Sequence, residues 1–266
     1  MVQTKLKILF IVALIISTGV YSCRQKTKEK QREYPRKGDV KLELKKDLSD
    51  ANQGFLFFIV PMIKEANRQI AEDREKILGI RKCFDSTDMI SKRNIRWLSR
   101  IADEYRLEGL AFAKKNSDQE TLSASFVKLL NRVDIVPLEL VTAQACVESE
   151  WGRSRFASEA NNFFGVHCYT KGCGIPPKNV ADPTFEVKKY GSAEDGIEDY
   201  LWIINTGHAY EKLRKMRAEM REKGTALIPT KLTEGLGSYS ERGQDYIDIL
   251  DNMIIYYLPH NLEDIS

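Results

Sequence analysis

Two carboxylates, Glu148 and Glu150, stand at the end of the most apolar helical stretch of the sequence, residues 136–152. From Pro137 to Val147 nearly every side chain is apolar or small on all sides of the predicted helix, which is typical of a buried domain centre. A carboxyl group at the edge of such a core is partly desolvated, so we expect a raised pKa and a proton retained near neutral pH. Glu148 is therefore a candidate general acid, with a locally paired structural carboxylate as the alternative; Glu150 points to another helix face.

The residues around Glu148 resemble a known family. Glu148–Gly152 has the sequence E-S-E-W-G, and Asn161–Gly165 follows with N-N-F-F-G. Together these segments are similar to the glucosaminidases of glycoside hydrolase family 73, the mannosyl-glycoprotein endo-β-N-acetylglucosaminidase-like domains, and within them to the Bax-like branch. The resemblance implies a lysozyme-like fold and a catalytic acid at the Glu of the E-S-x-W-G segment, which is Glu148 here.

A glycosidase usually pairs its acid with a second carboxylate that activates water or acts as the nucleophile. Glu186 is our candidate, because it alternates with Phe185 and Val187 on a predicted strand and the family's proposed second residue is a β-lobe Glu. An exposed strand glutamate without a catalytic role is the alternative. If the substrate carries an N-acetyl group, its carbonyl oxygen can act as the nucleophile instead, and Glu148 then suffices together with a tyrosine.

Four further residues are candidates for substrate binding: Tyr239, Tyr246, Asn162 and Trp151. The resemblance implies that Tyr239 or Tyr246 faces the cleft, where a phenol hydrogen-bonds the N-acetyl group or stabilises developing positive charge. Their spacing equally suits two core tyrosines on one helix face. We expect Asn162 to hold a loop beside the site by hydrogen bonds to the backbone. Trp151 either contacts sugar or packs against the helix end.

The cysteines allow two interpretations. Cys168 and Cys173 enclose a short glycine-containing loop, and an exported protein occupies a compartment that permits disulfides, so we predict a disulfide. Zinc binding with His167 is the weaker alternative, because two cysteines and one histidine do not complete a tetrahedral set. The sequence has no phosphate loop, dinucleotide fingerprint or HExxH motif. No metal or cofactor is therefore predicted.

Periodicity predicts the elements that must position these residues. The predicted helices cover residues 55–78, 92–109, 123–133, 137–147, 193–204, 209–223, 230–236 and 244–258. Residues 184–190 alternate like a strand, and residues 83–88 are turn-like. Asp134 is expected to cap the helix of Glu148. The predicted fold class is mainly α with a small β lobe that faces the end of this helix.

The N-terminal residues predict export. Residues 1–22 are expected to be a lipoprotein signal peptide, whose apolar stretch is too short for a confident membrane-spanning helix. The segment Val20–Cys23 resembles a bacterial lipobox and makes Cys23 the predicted lipidation site, with an ordinary signal peptide as the alternative. Residues 23–50 are predicted to form a charged, disordered tether. We therefore expect a lipid-anchored protein of the cell envelope, on the periplasmic face of a Gram-negative membrane.

Charge and length complete the sequence-based prediction. The 266 residues carry a net charge of +3, but seven positive and two negative side chains fall within residues 24–37. The remainder is net negative, which disfavours nucleic acid as a partner. Two further domains are predicted: a helical segment at 51–118 packed on a glucosaminidase domain at 119–262.

The resemblance implies a peptidoglycan hydrolase that acts on glycan strands. It would cleave the β-1,4 bond after N-acetylglucosamine by general acid catalysis. Two alternatives remain open. One is a lytic transglycosylase, which uses a single Glu on a similar fold. The other is a catalytically silent, glycan-binding envelope lipoprotein.

Overall fold

The structure is a computed structural model, and it describes residues 40–113, 118–178, 183–237, 239 and 243–266. The predicted signal peptide, Cys23 and most of the predicted tether lie outside these residues. The end of the tether, residues 40–50, is folded, and Leu42 and Leu48 are buried. The Glu43 N–H donates to the side-chain oxygen of Asn261, and the Glu43 carbonyl oxygen accepts from the N–H of His260. Within the described part of the chain, no helix has both the length and the apolar character needed to cross a bilayer.

The described elements are nine helices and three short strands. The helices are α1 (Asp50–Thr87), α2 (Lys92–Glu104), α3 (Gln119–Arg132), α4 (Leu138–Glu148), α5 (Arg155–Ala160), α6 (Ala193–Thr206), α7 (Glu211–Glu222), α8 (Pro229–Leu232) and α9 (Gln244–Asn252). Short 3₁₀ turns occupy residues 111–113, 208–210, 233–236 and 262–264, and a π-helical turn at 253–257 continues α9. The strands are β1 (His167–Cys168), β2 (Gly174–Ile175) and β3 (Glu186–Lys188), with β3 antiparallel between the other two. This arrangement confirms the predicted fold class, mainly α with a small β lobe.

Helix α1 is longer than the sequence suggested. It begins at Asp50 and continues to Thr87, so the turn predicted at residues 83–88 is wrong. Ser86 and Thr87 favour turns, but here their hydroxyl groups donate to the carbonyl oxygen of Cys83 at 2.9 and 2.7 Å. The hydroxyls are thus satisfied inside the helix, which ends only at Asp88, whose φ is 53°.

Helix α1 also joins two apolar cores. Its first half, around Phe55 to Ala66, belongs to the larger core, which surrounds α4 and α6. Its second half contributes Ile77, Ile80 and Phe84 to a smaller core with α2 and α3. The N-terminal helix therefore supplies part of the packing around the Glu148 helix.

Asp134 does not cap α4, which begins at Leu138 without a side-chain cap. The Asp134 side chain is buried, and its carboxylate accepts hydrogen bonds from Arg221 at 2.9 and 3.0 Å. Arg74 and Arg217 lie 3.4 and 3.8 Å from the same carboxylate. A buried carboxylate requires such compensation. Asp134 therefore ties α1 and α7 to the start of α4.

Candidate active site

Glu148 is the last residue of α4 and is half-buried. The chain then makes a left-handed turn, with φ values of 53°, 58° and 76° at Glu150, Trp151 and Gly152. The buried Ser149 hydroxyl accepts a 2.7 Å hydrogen bond from the backbone N–H of Gly152. A Cβ atom at Gly152 would lie 2.7 Å from the ring of Phe55, so glycine is needed here for space as well as for φ. Most of the E-S-x-W-G segment thus shapes the turn that follows Glu148.

Trp151 lies on the α1 side of this turn. Its ring contacts Phe55 edge-on, with 6.4 Å between the ring centroids. It is not among the residues that line the cleft beside Glu148. The structure therefore shows Trp151 packed at the end of the helix. A role for Trp151 in binding sugar stays a prediction.

A cleft of about 670 Å³ opens beside Glu148. Its walls are mostly aromatic and come from the segment after α5, from α6 and from the C-terminal region. The lining residues are Glu148, Phe164, Gly165, Val166, His167, Tyr169, Tyr200, Ile203, Tyr210 and Tyr239. Among the lining residues that the structure describes, Glu148 is the one carboxylate. An aromatic cleft with one acid suits a neutral ligand such as a sugar chain.

A buried chain of hydrogen bonds reaches Glu148 from inside the domain. The Tyr200 hydroxyl donates to Gln144 Oε1, and Gln144 Nε2 donates to the Tyr246 hydroxyl oxygen at 3.1 Å. The Tyr246 hydroxyl is in turn hydrogen-bonded to the Glu148 side chain. Since the Tyr246 oxygen already accepts from an N–H group, its own hydrogen is left for the Glu148 carboxylate. Gln144 therefore orients Tyr246 as a donor towards Glu148.

The two predicted tyrosines stack on each other but lie at different depths. The Tyr239 and Tyr246 ring centroids are 5.5 Å apart and the rings are nearly parallel. Tyr239 lines the cleft and donates its hydroxyl hydrogen to the carbonyl oxygen of Phe164, whereas Tyr246 lies behind it. Burial, and then the nearby Glu148 carboxylate, raise the pKa of Tyr246 well above its usual range. Burial likewise raises the pKa of Tyr239, so both phenols stay protonated.

Asn162 is buried and holds the loop that forms one wall of the cleft. Its Oδ1 accepts from the backbone N–H groups of Phe164 and Val166 at 3.3 and 3.1 Å. Its Nδ2 donates to the carbonyl oxygens of Val166 and Lys188, both at 2.9 Å. Gly165 lies in this loop, and a Cβ atom there would be 3.9 Å from Glu148 Oε2. Asn162 thus positions the backbone that faces Glu148 and links it to β3.

Glu186 lies on the β lobe and is not among the residues that line the Glu148 cleft. Its two carboxylate oxygens accept hydrogen bonds from the backbone N–H groups of Gly172 and Gly174, at 3.0 and 2.8 Å. These two hydrogen bonds lower the pKa of Glu186. The structure therefore brings Glu148, Tyr239 and Tyr246 together, and places the Glu186 carboxylate on the loop between β1 and β2.

A disulfide joins Cys168 and Cys173, the pair suggested by the sequence, with 6.2 Å between their Cα atoms. Bonded sulfurs offer no thiolate, so this pair cannot hold zinc as thiolate ligands while oxidised. The neighbouring His167 ring stacks on Phe185 with 4.0 Å between centroids. Cys146, inside α4, is buried and unbonded, and burial raises the pKa of its thiol well above the usual value.

The part of the chain that carries the cleft is similar to known proteins. The model of the glucosaminidase family, described as mannosyl-glycoprotein endo-beta-N-acetylglucosaminidase, matches residues 123–254. This part of the chain belongs to the glucosaminidase family. The chain is also similar to Protein bax of Escherichia coli (strain K12), with 28% identity over 198 residues, or 74% of this chain. The match spans 66% of that relative, just under two thirds of its length. No solved structure matches the chain.

Several residues of the candidate site were not selected from the sequence. Gln144 stands four positions before Glu148, one turn away on the same helix face. A buried glutamine requires hydrogen-bond partners, and that requirement is the signal that points to a network here. Tyr200 and Tyr210 come from α6 and the turn after it, and their distance from Glu148 along the chain hides the contact.

Proposed function

We propose that this protein is a peptidoglycan hydrolase that cleaves the β-1,4 bond after N-acetylglucosamine, with Glu148 as the general acid. The observation that carries the proposal is the position of Glu148 within the glucosaminidase domain: half-buried, at the end of an apolar helix, and facing an aromatic cleft. The hydrogen bond from Tyr246 holds the carboxyl group in place. A positioned proton donor in a partly dry cleft is what glycosidic bond cleavage requires.

In the proposed reaction the acetamido group of the substrate acts as nucleophile. Glu148 gives its proton to the glycosidic oxygen as the C1–O bond breaks, and the acetamido carbonyl oxygen bonds to C1 on the opposite face. Water then attacks C1 of this oxazolinium ion and gives a proton to the Glu148 carboxylate. The two displacements release a reducing sugar with retained configuration and regenerate the acid.

The environment of Glu186 favours this route over a second protein carboxylate. Both Glu186 oxygens are engaged with the backbone N–H groups of Gly172 and Gly174. A base or nucleophile needs a carboxylate oxygen directed at the sugar. To supply one, Glu186 would first have to break its hydrogen bonds to the loop. Among the described residues that line the cleft, no other acidic side chain accompanies Glu148.

The test is the chemistry of the products from purified peptidoglycan. Hydrolysis after N-acetylglucosamine predicts reducing N-acetylglucosamine ends by mass spectrometry, and no cleavage of glycan from which the N-acetyl groups have been removed. Products lighter by one water, with anhydro ends, would identify a lytic transglycosylase instead. No products from intact glycan, with binding retained, would indicate the catalytically silent alternative.

Anchoring to a membrane is a separate part of the proposal. The lipobox-like segment Val20–Cys23 at the end of an apolar stretch supports lipidation at Cys23, which would hold the enzyme in the cell envelope. More than one acyl chain gives stable anchoring. Cys23→Ser is expected to move the protein from the membrane fraction to the soluble fraction. A variant that is processed and fractionates as the parent does would rule out this anchor.

A further inference from the structure

Tyr169 is an aromatic side chain that stands almost free at the mouth of the Glu148 cleft. It is 80% exposed, the largest exposure among the large apolar side chains that the structure describes. It nevertheless lines the same cleft as Glu148. An exposed aromatic residue alone needs no explanation. The rigid backbone that carries Tyr169 is a second observation that points to a binding role.

The backbone that carries Tyr169 is fixed by several independent contacts. The Cys168–Cys173 disulfide closes a loop of six residues. Inside it, the N–H of Cys173 donates to the carbonyl oxygen of Thr170 at 3.0 Å, and Gly172 has φ of 84°. The loop is therefore a closed tight turn with few accessible conformations.

Glu186 fastens this turn to the sheet. It is the first residue of β3, the central strand, and it pairs with Cys168 on β1. The loop leaves β1 beside Glu186 and enters β2 at Gly174, which pairs with Lys188 at the other end of β3. The Glu186 carboxylate accepts hydrogen bonds from the backbone N–H groups of Gly172 and Gly174. Hydrogen bonds to a carboxylate are stronger than those between neutral groups. The disulfide thus holds the two ends of the turn together, and Glu186 holds Gly172 within it.

We propose that Tyr169 is a sugar-binding residue, a platform on which one N-acetylhexosamine ring of the glycan strand stacks as it enters the cleft. The Cys168–Cys173 disulfide and Glu186 act as positioning groups for it. The inference rests on the proposed function, since the ligand is the same glycan. It assigns to Glu186 a role in binding through the loop, with no step in bond cleavage.

The physical argument is preorganisation. A pyranose ring presents C–H groups on its faces, and a tyrosine ring offers a flat apolar surface with a hydroxyl group at its edge. Binding to a residue on a mobile loop costs the conformational entropy of the backbone, whereas the backbone of a tyrosine on a rigid turn has lost most of that freedom beforehand. Because the ring is exposed before binding, a stacked sugar removes its apolar face from water, which favours binding.

The closing experiment measures binding of soluble glycan strands from purified peptidoglycan, in the Glu148→Gln background to prevent turnover. Tyr169→Ala is expected to raise the Kd about two- to tenfold, whereas Tyr169→Phe keeps the ring and is expected to keep the affinity. Tyr256→Ala is the matched control, because Tyr256 is 55% exposed and does not line the cleft. It should bind as the parent does.

Two further variants test how the loop acts. Replacing Cys168 and Cys173 together with Ser should weaken binding, and adding Tyr169→Ala to that variant should weaken it little more, because both changes remove one interaction. In the otherwise active enzyme, Glu186→Gln should raise KM with kcat nearly unchanged. A kcat reduced about a hundredfold or more would place Glu186 in the chemistry and overturn its positioning role.

The outcomes separate the two proposals. If Tyr169→Ala binds glycan as tightly as its background does, while the parent still cleaves peptidoglycan, the platform is wrong and the proposed function stands. If the parent neither binds nor cleaves the glycan, the proposed function fails and the platform fails with it. Because Tyr169 is exposed, Tyr169→Ala is expected to fold, and circular dichroism verifies this.

Discussion

The side-chain N–H of Gln144 donates a 3.1 Å hydrogen bond to the hydroxyl oxygen of Tyr246. Gln144 lies one turn before Glu148 on α4, and Tyr246 lies on α9, so the bond joins two elements that are remote in sequence. With this acceptor position occupied, Tyr246 directs its hydrogen to Glu148. The orientation of the proposed acid therefore depends on a buried residue that does not itself line the cleft.

Removing the Tyr246 hydroxyl tests this dependence. Tyr246→Phe keeps the stacking on Tyr239 but leaves the buried Gln144 N–H without its acceptor, which costs about 1–3 kcal/mol of unfolding free energy. We also expect kcat to fall about tenfold. The reason is that Glu148 loses one orienting hydrogen bond, whose free energy corresponds to a rate change of about this size. Denaturant unfolding and turnover of peptidoglycan check both effects. Tyr257→Phe is the control, because the Tyr257 hydroxyl accepts a hydrogen bond from Lys46, an exposed residue.

The buried tyrosines predict an alkaline limit of stability. Burial raises the pKa of Tyr200, Tyr239 and Tyr246 well above the ordinary value for a tyrosine. A group with a raised folded-state pKa contributes stability below its unfolded pKa and loses it as pH rises towards the folded pKa. The free energy of unfolding should therefore fall above about pH 10. Tyrosinate absorbance from these three residues should appear together with unfolding, and their titration in the folded protein near pH 10 would contradict the burial.

Glu186 predicts the opposite dependence at low pH. Hydrogen bonds from the backbone N–H groups of Gly172 and Gly174 lower the pKa of its carboxyl group below the ordinary value for a glutamate. Its contribution to stability is present above that unfolded value and is lost as pH falls through the folded pKa. We expect Glu186→Gln to be less stable than the parent at neutral pH, and the difference to shrink in acid. Thermal unfolding across pH measures this, and a difference that does not change with pH would show that the charge is not involved.

Much of the site was predictable because it is local. The apolar helix ending on Glu148 and the short spacing of Cys168 and Cys173 both lie within single stretches of chain, as does the strand pattern that led to the β lobe. Their chemistry follows from neighbours one turn or one loop away. The mainly α fold class with a small β lobe follows from such patterns as well.

The rest depends on contacts that no local pattern contains. Asp134 looked like a helix cap because its partners Arg74 and Arg221 come from α1 and α7, far along the chain. Strand alternation placed Glu186 on the lobe, but it carries no information on which N–H groups its carboxylate accepts. In each case tertiary structure supplied a partner that outweighed the local preference.

The buried Asp134 cluster predicts a large effect away from the cleft. Asp134→Ala leaves the buried Arg217 without its nearby carboxylate and is expected to cost about 3–5 kcal/mol of unfolding free energy. Glu104→Ala, which breaks an exposed pair with Arg100, should change stability by about 0–1 kcal/mol. Urea unfolding compares the two. Equal small effects would mean that the arginines do not depend on Asp134.

The proposal depends above all on Glu148 as the proton donor. Glu148→Gln keeps the shape of the side chain but cannot transfer a proton, and Glu150→Gln, two positions away and exposed, is the matched control. The measurement is the rate at which each purified, folded variant releases muropeptides from peptidoglycan. We predict a fall of about 10²–10⁴-fold for Glu148→Gln and most of the activity for Glu150→Gln. Near-full release by Glu148→Gln would contradict the central assignment.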